Sequence, residues 1–442
     1  MPPSKLFAVA VLVFLVVFPG SLNAEVTAIK AGRVVDPETG SVSANQVILV
    51  EGRLIKAIGA DIAIPKDAPV IDLSKATVLP GLFDCHTHLC IAPVKPAGES
   101  PREFYGALLL STVSNTTGYR AIHGVANARA MLESGFTTVR DVGNSGNYAD
   151  TDLRRAIEEG VVPGPTVLNA GRIIAPMGGQ FPSRIPPFFA ELFGPSNDYI
   201  GVLNPERPGL GNPEYFFADT PEELRKAVRE NVLYGARVIK LVVDDQMFVY
   251  SADDIRVVVE EARRANMRVC AHCMTDAGAR NAAEAGVASI EHGFLVSDET
   301  LAVMKVNGVT LVGTDFTEEA GKAMGLPPGV HARVVDRIRR ASAAGVPLAF
   351  GSDVFFAVPG KTIGDTALSF IDSAVLAGVS PTAILKQMIT NPARLLGVEN
   401  ERGALKPGMA ADIIAVSGNP IEDVNALKRV SFVMKEGRVI RP

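Results

Sequence analysis

The chain has 442 residues, of which 47% are hydrophobic, 21% are charged and 6% are aromatic, and its formal net charge is −5. This balance argues against a nucleic-acid partner, because phosphate neutralisation needs clustered Lys and Arg, and the chain has no basic run. A chain of this length buries enough apolar surface to fold without disulfide bonds.

The N-terminal segment has the composition of an export signal. Lys5 supplies a positive charge, Leu6–Phe18 is almost wholly apolar, and Ala24 offers a small residue for cleavage before Glu25. This order predicts a secretory signal peptide over residues 1–24, and therefore an exported protein, periplasmic or secreted. A short membrane anchor is the alternative, but the apolar run is below the roughly 20 residues needed to span a bilayer. No stable membrane span is expected once the signal is removed.

Both ends of the remaining chain are rich in short β segments. Residues 25–78 contain a predicted hairpin over Val47–Ile55. Residues 397–442 show the same pattern of short β segments separated by turns, over Asp412–Val416 and Val430–Ile440. We predict that the two ends together build one small β-sandwich domain. Two unrelated edge hairpins are the alternative.

Between these ends, residues 79–396 alternate β-branched runs with helical stretches, which is the pattern of β–α–β units. The predicted strands are Val78–His86, Thr137–Asp141, Thr166–Ala170, Val238–Val243, Arg268–His272, Ser289–His292, Thr310–Val312 and Leu348–Gly351. The predicted helices include Ala126–Glu133, Pro221–Tyr234, Ala252–Ala265, Asp276–Ala285, Asp298–Asn307 and Val330–Ala344. Eight strands with interleaved helices predict an α/β fold of the (β/α)8 TIM-barrel type. A doubly wound open sheet remains the alternative, since periodicity does not show closure.

The segment from Ile174 to Phe217 fits no regular element and is rich in Pro, Gly and Phe. A long irregular connection inside a compact domain is usually functional or disordered. The Phe residues favour an ordered apolar lid or an assembly contact, and a surface excursion that packs on itself is an equal alternative. The sequence leaves the role of this segment open.

Polar residues close several of the predicted barrel strands. Residues i and i+2 of a strand face the same way, so His86 and His88 can bind one metal ion. That pair is weak alone, but His272, His292 and Asp353 also stand at strand ends, where barrel enzymes carry their active residues. The set predicts a metal-dependent hydrolase.

Lys240 lies within the apolar strand Val238–Val243. A bare ammonium inside a barrel is costly and tends to lose its proton. Two interpretations stay open. The side-chain stem carries the amine to solvent, or the amine has reacted with carbon dioxide to give a carbamate that bridges two cations.

The ligand types, neutral imidazoles and carboxylate-like oxygens, suit divalent ions of hard to borderline character. Zinc is favoured, with manganese or cobalt able to substitute. Two ions bridged by an oxygen lower the pKa of a bound water and give hydroxide near neutral pH. Asp353 is placed to take the proton of that water and hand it to the leaving amine. The expected reaction is therefore hydroxide attack on an amide carbonyl.

Several stretches spread over residues 79–412 match a known family, and together they are highly specific. They are Leu79-Pro80-Gly81-Leu82-Phe83-Asp84-Cys85-His86-Thr87-His88, Gly135-Phe136-Thr137-Thr138-Val139-Arg140-Asp141, Ile239-Lys240, Ala271-His272, Ile290-Glu291-His292-Gly293, Gly351-Ser352-Asp353 and Gly403-Ala404-Leu405-Lys406-Pro407-Gly408-Met409-Ala410-Ala411-Asp412. The chain resembles the amidohydrolase superfamily, in its imidazolonepropionase-like, prolidase-like branch.

The resemblance implies a (β/α)8 barrel with a composite β-sandwich and a site for two metal ions. Carboxylated Lys240 would bridge the ions, and Asp353 would be both a ligand and the proton shuttle. The other implied ligands are His86 and His88 on one metal, and His272 and His292 on the other. Relatives of this branch hydrolyse dipeptides, N-acyl amino acids and aryl amides such as ochratoxin A, often as octamers. A small amide or dipeptide substrate and a homo-oligomer are therefore expected.

The chain departs from the family pattern where relatives contact the substrate. Many relatives carry Gly-Gly-His-Gly-Asp after the third strand, whereas this chain has Gly178-Gly179-Gln180-Phe181. Gln180 can hydrogen-bond a carbonyl but carries no charge, so the preferred acyl group stays open. Tyr250, His331 and Arg184 are further candidates for substrate contact. Plain packing is an equal interpretation for Tyr250, and a surface or helix-terminal position is favoured for His331.

Other functions remain as alternatives. A cyclic-amide hydrolase keeps a residue like Lys240, whereas the mononuclear deaminases of the superfamily generally lack one. A secreted metal-binding assembly protein without turnover is the non-enzyme alternative. The C-x-x-C pair of Cys270 and Cys273 has no second pair to complete a structural zinc site, so buried free thiols are favoured over a disulfide.

Overall fold

The computed structural model describes residues 25–95, 100–177, 180, 214–245 and 248–442. The predicted signal peptide lies outside these ranges, as does most of the predicted irregular segment. Within the described ranges, no helix is both long and apolar enough to cross a membrane.

The helices and strands alternate through the middle of the chain and give way to strands alone at both ends. The strands are β1 Val26–Val35, β2 Val42–Glu51, β3 Leu54–Gly59, β4 Val70–Pro80, β5 Leu82–Thr87, β6 Phe136–Asp141, β7 Thr166–Asn169, β8 Ile173–Ala175, β9 Tyr215–Phe217, β10 Ile239–Val242, β11 Val269–Cys273, β12 Ser289–His292, β13 Thr310–Val312, β14 Ile413–Val416, β15 Val430–Lys435 and β16 Arg438–Arg441. The helices are α1 Pro101–Ser114, α2 Thr117–Glu133, α3 Ala149–Glu158, α4 Pro221–Leu233, α5 Ala252–Arg264, α6 Asp276–Ala285, α7 Asp298–Asn307, α8 Glu318–Ala323, α9 Val330–Ala344, α10 Ile363–Ser369, α11 Ile371–Leu376, α12 Pro381–Leu385 and α13 Asn391–Leu396, with a π-helical turn over Lys386–Thr390 and a 3-10 turn over Val424–Lys428.

One seven-stranded sheet combines strands from both ends of the chain, in the order β16-β15-β14-β4-β1-β2-β3. β4 joins the two halves, because its residues 70–78 pair with β1 and its residues 77–80 pair with β14. The strands therefore form one continuous sheet, whereas the prediction was a sandwich. The sheet nevertheless folds back on itself. Ile55 donates its backbone N–H to Met409 O at 2.8 Å, and Ala411 donates to Arg53 O at 2.9 Å.

Asp412, immediately before β14, is the centre of a buried group of charges in this sheet. It is 3% exposed and accepts hydrogen bonds from Arg402 Nη1 at 2.7 Å, Lys435 Nζ at 3.0 Å and the Glu436 backbone N–H at 2.9 Å. These contacts tie the loop before β14 to β15, so one carboxylate fixes two segments of the sheet.

Replacing Asp412 by Ala is expected to lower the free energy of unfolding by about 3–5 kcal/mol, because it leaves buried cations without their main acceptor. Urea denaturation measures the change. Glu399→Ala, at an exposed site, is the control and should shift stability by no more than about 0.5 kcal/mol. Equal stabilities for the two variants would show that the buried charges do not stabilise the sheet.

The middle of the chain is α/β with parallel strands, as predicted. Its strands lie in two parallel sheets, β5-β6-β7 and β13-β12-β11-β10-β8-β9. The predicted first strand is split at Gly81, where β4 ends and β5 begins. The Arg237 backbone N–H donates to Asn169 O at 2.7 Å, which links the end of β7 to the start of β10.

The predicted last strand, residues 348–351, forms a single parallel bridge with β13 at Leu348 rather than a strand. The Phe350 N–H donates to Gln387 O in the π-helical turn at 2.8 Å, which takes it out of a regular ladder. On its other side, the Phe350 carbonyl accepts from the Cys85 N–H of β5 at 2.8 Å. The segment therefore lies between β13 and β5 without being a full strand.

All four cysteines of the chain are buried with free thiols. Burial raises the pKa of Cys270 and, more strongly, that of Cys273, so both remain protonated thiols at neutral pH. The C-x-x-C pair therefore packs as small apolar side chains, as favoured from the sequence.

Residues with strong capping preference set where the helices of the middle begin. Thr220 and Glu223 form a reciprocal capping box at the start of α4, and Ser251 with Asp254 does the same for α5. Each of these helices ends within a few residues of the next parallel strand. The caps therefore help to fix where β10 and β11 present their C-terminal ends.

Candidate metal centre

The histidines predicted to bind metal meet at the carboxyl ends of the parallel strands. His86 lies in β5, His272 lies in β11 and His292 ends β12, while His88 directly follows β5 and Asp353 follows the 348–351 segment. The register pairs Cys273 with His292, so the imidazoles of β11 and β12 are neighbours. These side chains and Lys240 line one cavity.

His86, His88 and Asp353 form a compact group. Asp353 Oδ1 lies 3.2 Å from His88 Nε2 and 3.7 Å from His86 Nε2, and the two imidazole centroids are 5.2 Å apart. The three ligand atoms lie within 4.8 Å of one another, which is close enough to hold one metal ion.

His272 and His292 continue the row of imidazoles. Their ring centroids are 4.5 Å apart, and His292 is 4.9 Å from His86. Asp353 faces both pairs, since its second oxygen lies 3.9 Å from His292 Nδ1. The structure therefore brings together the four histidines and the aspartate that the sequence singled out.

Each of the first two imidazoles is fixed through its Nδ1 atom, so that Nε2 is left for a cation. His86 Nδ1–H donates to Glu291 Oε2 at 2.7 Å, and Arg140 holds the other oxygen of that carboxylate at 2.7 Å. His88 Nδ1–H donates to Gly143 O at 2.9 Å. Hydrogen bonds of this kind orient metal-binding histidines and set their tautomer.

His292 is fixed in the same way by Thr314. The Thr314 hydroxyl donates to Gly313 O at 2.7 Å, so its oxygen accepts from His292 Nδ1–H at 2.9 Å. His292 Nε2 is then the free acceptor.

The protonation of the site indicates a place for a positive charge. Burial lowers the pKa of His86, and the nearby charge of Lys240 lowers it further; burial also lowers the pKa of His292. Burial works against the charged form of His88 too, but the hydrogen bond with Asp353 and the charges of Asp353 and Asp141 together outweigh burial and raise the pKa. The gap between His88 and Asp353 thus favours a cation, whether a proton or a metal ion.

Lys240 lies in β10 with its side chain 1% exposed, and it lines the same cavity. Within the described part of the chain its ammonium has no hydrogen bond and no ion pair. An unpaired buried cation beside four imidazoles is an unfavourable arrangement. Together with the Nε2 atoms of His86, His88 and His292, this arrangement fits a site for divalent cations.

Three residues of the site hold unusual backbone conformations. His292, Thr314 and Asp353 have φ values of 64°, 51° and 56°, in the left-handed region that non-glycine residues rarely adopt. Such strain is typical of functional sites. It also explains why Glu291 and His292 both reach the centre, although neighbours in a regular strand point to opposite faces.

A glycine is required where the chain approaches His86. A Cβ on Gly351 would lie 2.7 Å from His86 Cβ and 2.3 Å from Val312 Cγ1, closer than real contacts allow. The absence of a side chain lets the 348–351 segment pass beside β5, and this brings Asp353 to the histidines.

Arg337 contacts residues of the site but does not itself line the cavity. Its side chain is fully buried, donates to His292 O, and is paired with Asp315. Its guanidinium also lies over the ring of Phe294, 4.8 Å from the centroid. One buried residue thus holds both a histidine of the centre and an aromatic side chain of the cavity.

Apolar side chains form a second part of the cavity lining, the apolar wall. Its side chains come from several helices and from the segments that follow strand ends. They are Tyr105, Leu108, Met274, Phe294, Phe316, Met324, Leu326, Phe355, Phe356 and Phe370. The space between these residues is about 910 Å³, part of which is open to solvent.

The predicted substrate-contact residues have different positions. Gln180 lines the cavity and accepts a hydrogen bond from Tyr215 OH at 2.8 Å. Tyr250 does not line it, because the side chain is buried and its hydroxyl donates to Ala218 O. His331 does not line it either, and bonds Ser373 Oγ at 3.0 Å instead. Arg184 lies outside the described residues.

The sequence reasoning did not identify Glu291, Thr314 or Asp245 as site residues. Glu291 was visible only as an acid beside a histidine in an apolar strand. Asp245 joins Asp244 and His272 in a second group with metal-binding geometry. Nothing in the sequence indicated that Asp244 and Asp245 have different roles.

Residues 77–440 match the family model described as the amidohydrolase family. The match covers well over half of the chain, so the protein belongs to the amidohydrolase family, in its prolidase- and ochratoxinase-like branch. It is therefore a hydrolase that acts on C–N bonds.

Individual relatives are similar over nearly the whole chain. Ochratoxinase from Aspergillus niger is 30% identical over 448 residues, which cover 95% of this chain and 87% of that protein. Imidazolonepropionase from Symbiobacterium thermophilum is 26% identical, with 85% and 83% covered. A crystal structure of a Xaa-Pro dipeptidase with methionine bound in the active site gives a TM-score of 0.76 at 29% identity, covering 95% of this chain and 100% of that one.

Proposed function

We propose that this protein is a binuclear metal-dependent amidohydrolase that cleaves an amide bond beside a large apolar group, as in an aryl amide or an N-acyl amino acid. The observation that carries this proposal is one cavity lined both by His86, His88, His272, His292 and Asp353 and by an aromatic wall. Apolar pockets with a few converging polar groups are typical of small-molecule sites.

We also propose that the two parallel sheets close into a (β/α)8 barrel. Support comes from the hydrogen bonds at both junctions, Arg237 to Asn169 and Cys85 to Phe350, and from the residues collected at the carboxyl strand ends. Closure explains how polar groups from β5 and from the chain after β13 reach one centre.

The residues suited to hold the two ions fall into two groups around a shared bridge. His86 and His88 would hold one ion, His272 and His292 the other, with a carboxylated Lys240 between them and Asp353 as a further ligand. Zinc fits this donor set best. When bound, such ions polarise a carbonyl and lower the pKa of water.

Asp353 is the group that moves the proton. It takes a proton from the attacking water as the water oxygen bonds to the carbonyl carbon. It then returns that proton to the amide nitrogen as the C–N bond breaks. The amine leaves only once it is protonated, which is why one residue serves both steps.

The apolar wall favours substrates with an aromatic or bulky aliphatic part. Phe355 lies 6.0 Å from His88 between ring centroids, and Phe294 lies 5.8 Å from His292, so aromatic side chains lie beside two of the four imidazoles. A flat apolar substituent placed there would be buried close to the reacting carbonyl. Cyclic-amide hydrolysis remains a second candidate, because the same centre can open a ring.

A substrate screen tests the proposal. The purified protein, loaded with zinc, is offered N-acyl amino acids with acetyl or naphthoyl groups, Xaa-Pro dipeptides, a cyclic amide and ochratoxin A. We expect the aryl-substituted open-chain amides to give the highest kcat/KM. If the protein hydrolyses none of these compounds, the proposal is overturned. A preference for the cyclic amide would favour the second candidate.

Phe316, which is 6% exposed and packs on Phe294, is a test of the aromatic wall. Phe316→Ala should lower kcat/KM for an aryl amide about tenfold, because one aromatic contact is worth roughly 0.5–1.5 kcal/mol beyond its buried area. An acetyl substrate should be affected much less. Phe248→Ala is the control, since Phe248 is 55% exposed and does not line the cavity. Equal losses for aryl and acetyl substrates would contradict a role in specificity.

We further propose that residues 1–24 direct export. The charge, apolar run and small residue before Glu25 support this. N-terminal sequencing of the mature protein is expected to begin at Glu25, and a retained Met1 would contradict it.

A further inference from the structure

Two adjacent aspartates follow β10 and have different surroundings. Asp244 is fully buried, and its oxygens accept from Met274 N at 2.8 Å, Thr275 N at 2.7 Å and Thr275 Oγ1 at 2.6 Å. With its oxygens committed to these three donors, Asp244 fixes the backbone after β11 and is a poor ligand for a cation.

Asp245 instead lines the cavity, with 5% of its surface exposed. Its Oδ1 accepts from His272 Nε2–H at 2.8 Å, and its Oδ2 accepts from Gln180 Nε2 at 3.2 Å. Within the described part of the chain it has no ion pair with an Arg or Lys. A nearly buried carboxylate is costly without a positive charge to balance it.

The orientation of His272 differs from that of the other three imidazoles. His86, His88 and His292 are each fixed through Nδ1, whereas His272 is fixed through Nε2. The nitrogen of His272 without a proton is therefore Nδ1, which lies 3.3 Å from the Gln180 amide nitrogen, and an acceptor on the opposite side of the ring must hold it in this orientation. Asp245 is that acceptor.

We propose that Asp245 is the positioning residue for His272. The Asp245 carboxylate keeps the proton of His272 on Nε2 and so turns the Nδ1 lone pair to the metal centre. Its negative charge also balances, through the imidazole, the positive charge of a cation bound at that centre. Carboxylate–imidazole–metal arrangements of this kind raise the basicity of the ligand. This inference rests on the proposed function, because it requires a metal ion at the centre.

Gln180 extends the contact to β9. Its amide nitrogen lies 3.3 Å from His272 Nδ1, and its carbonyl oxygen accepts from Tyr215 OH. Asp245 and Tyr215 thus fix the two ends of the Gln180 amide. The residue that replaces the histidine of relatives is held by the same carboxylate that orients His272.

The test compares Asp245→Ala, Asp245→Asn and the wild-type protein by zinc content and by competition with a chelator. The wild type should hold two zinc ions per chain. Asp245→Ala should bind one of the two about 10- to 100-fold more weakly, the usual cost of losing such a partner. Asp245→Asn keeps an acceptor oxygen and should lose less. Asp253→Asn, at a carboxylate whose side chain is 89% exposed, is the matched control and should bind both ions as the wild type does.

The outcomes separate the two proposals. If the wild type holds two ions and Asp245→Ala binds both with unchanged affinity, the role of Asp245 is overturned while the proposed function stands. If the wild type holds no metal, both the proposed function and the role of Asp245 are overturned. If Asp245→Ala does not fold, as judged by circular dichroism, the comparison of Asp245→Asn with Asp253→Asn decides, and equal zinc affinities would overturn the inference.

Discussion

We expect Asp353→Asn to lower kcat/KM for amide hydrolysis by about 10²–10⁴-fold, the range that a positioned acid–base group supplies. Asn cannot take a proton from water and cannot return one to the departing amine. The fold should be unaffected, because Asn tolerates the left-handed conformation that Asp353 adopts, with φ of 56°. The backbone N–H of residue 353 also keeps its bond to His86 O at 2.8 Å.

Steady-state kinetics with the best substrate of the screen measures this effect, and metal analysis accompanies it. Asp67→Asn, at an exposed position, is the matched control and should retain wild-type kcat/KM. Unchanged kcat/KM in Asp353→Asn, with unchanged metal content, would remove Asp353 from the proton-transfer role.

Lys240→Met is expected to have opposite effects on stability and on metal content. In the metal-free protein it removes an unpaired buried ammonium and should raise the free energy of unfolding by about 1–4 kcal/mol, as apolar replacements of buried ionic groups often do. In the metal-loaded protein it removes the proposed bridge, so the variant should lose at least one of two zinc ions and its hydrolytic activity. Urea denaturation after chelation and elemental analysis measure the two effects.

The carbamate itself has a direct signature. Native mass spectrometry near neutral pH should find the wild-type chain heavier by one carbon dioxide, and bicarbonate should speed reloading of stripped protein with zinc. Lys66→Met, at an exposed lysine, should retain both properties. An unmodified Lys240 in a protein that holds two zinc ions would show that the lysine is not the bridge.

The sequence predicted which side chains lie together because parallel strands order their ends. A residue at the carboxyl end of one strand lies near those at the ends of its neighbours, so His272 and His292 could be placed together without knowing the loops. This rule failed at residues 348–351, because a helical turn far along the chain takes a backbone hydrogen bond from Phe350.

The contacts around the imidazoles and the composition of the apolar wall could not be predicted from the sequence. Strand alternation places Glu291 and His292 on opposite faces, and the positive φ of His292 that brings both inward leaves no signal in residue type. The wall gathers Leu108, Met324 and Phe370 from helices and loops that are distant in sequence. Tyr250 was a candidate because it follows β10, but its hydroxyl turns to Ala218.

Because Arg337 contacts both the metal centre and the apolar wall, a substitution in the wall that alters substrate preference can also destabilise the centre. It bonds the His292 carbonyl and lies over Phe294, so a substitution at Phe294 removes a contact from the residue that holds a histidine in its strained conformation. Phe316, across the same wall, has no contact with Arg337 among those observed. Adaptation to larger substrates is therefore expected to proceed through substitutions at Phe316, while Phe294 is constrained by its contact with Arg337.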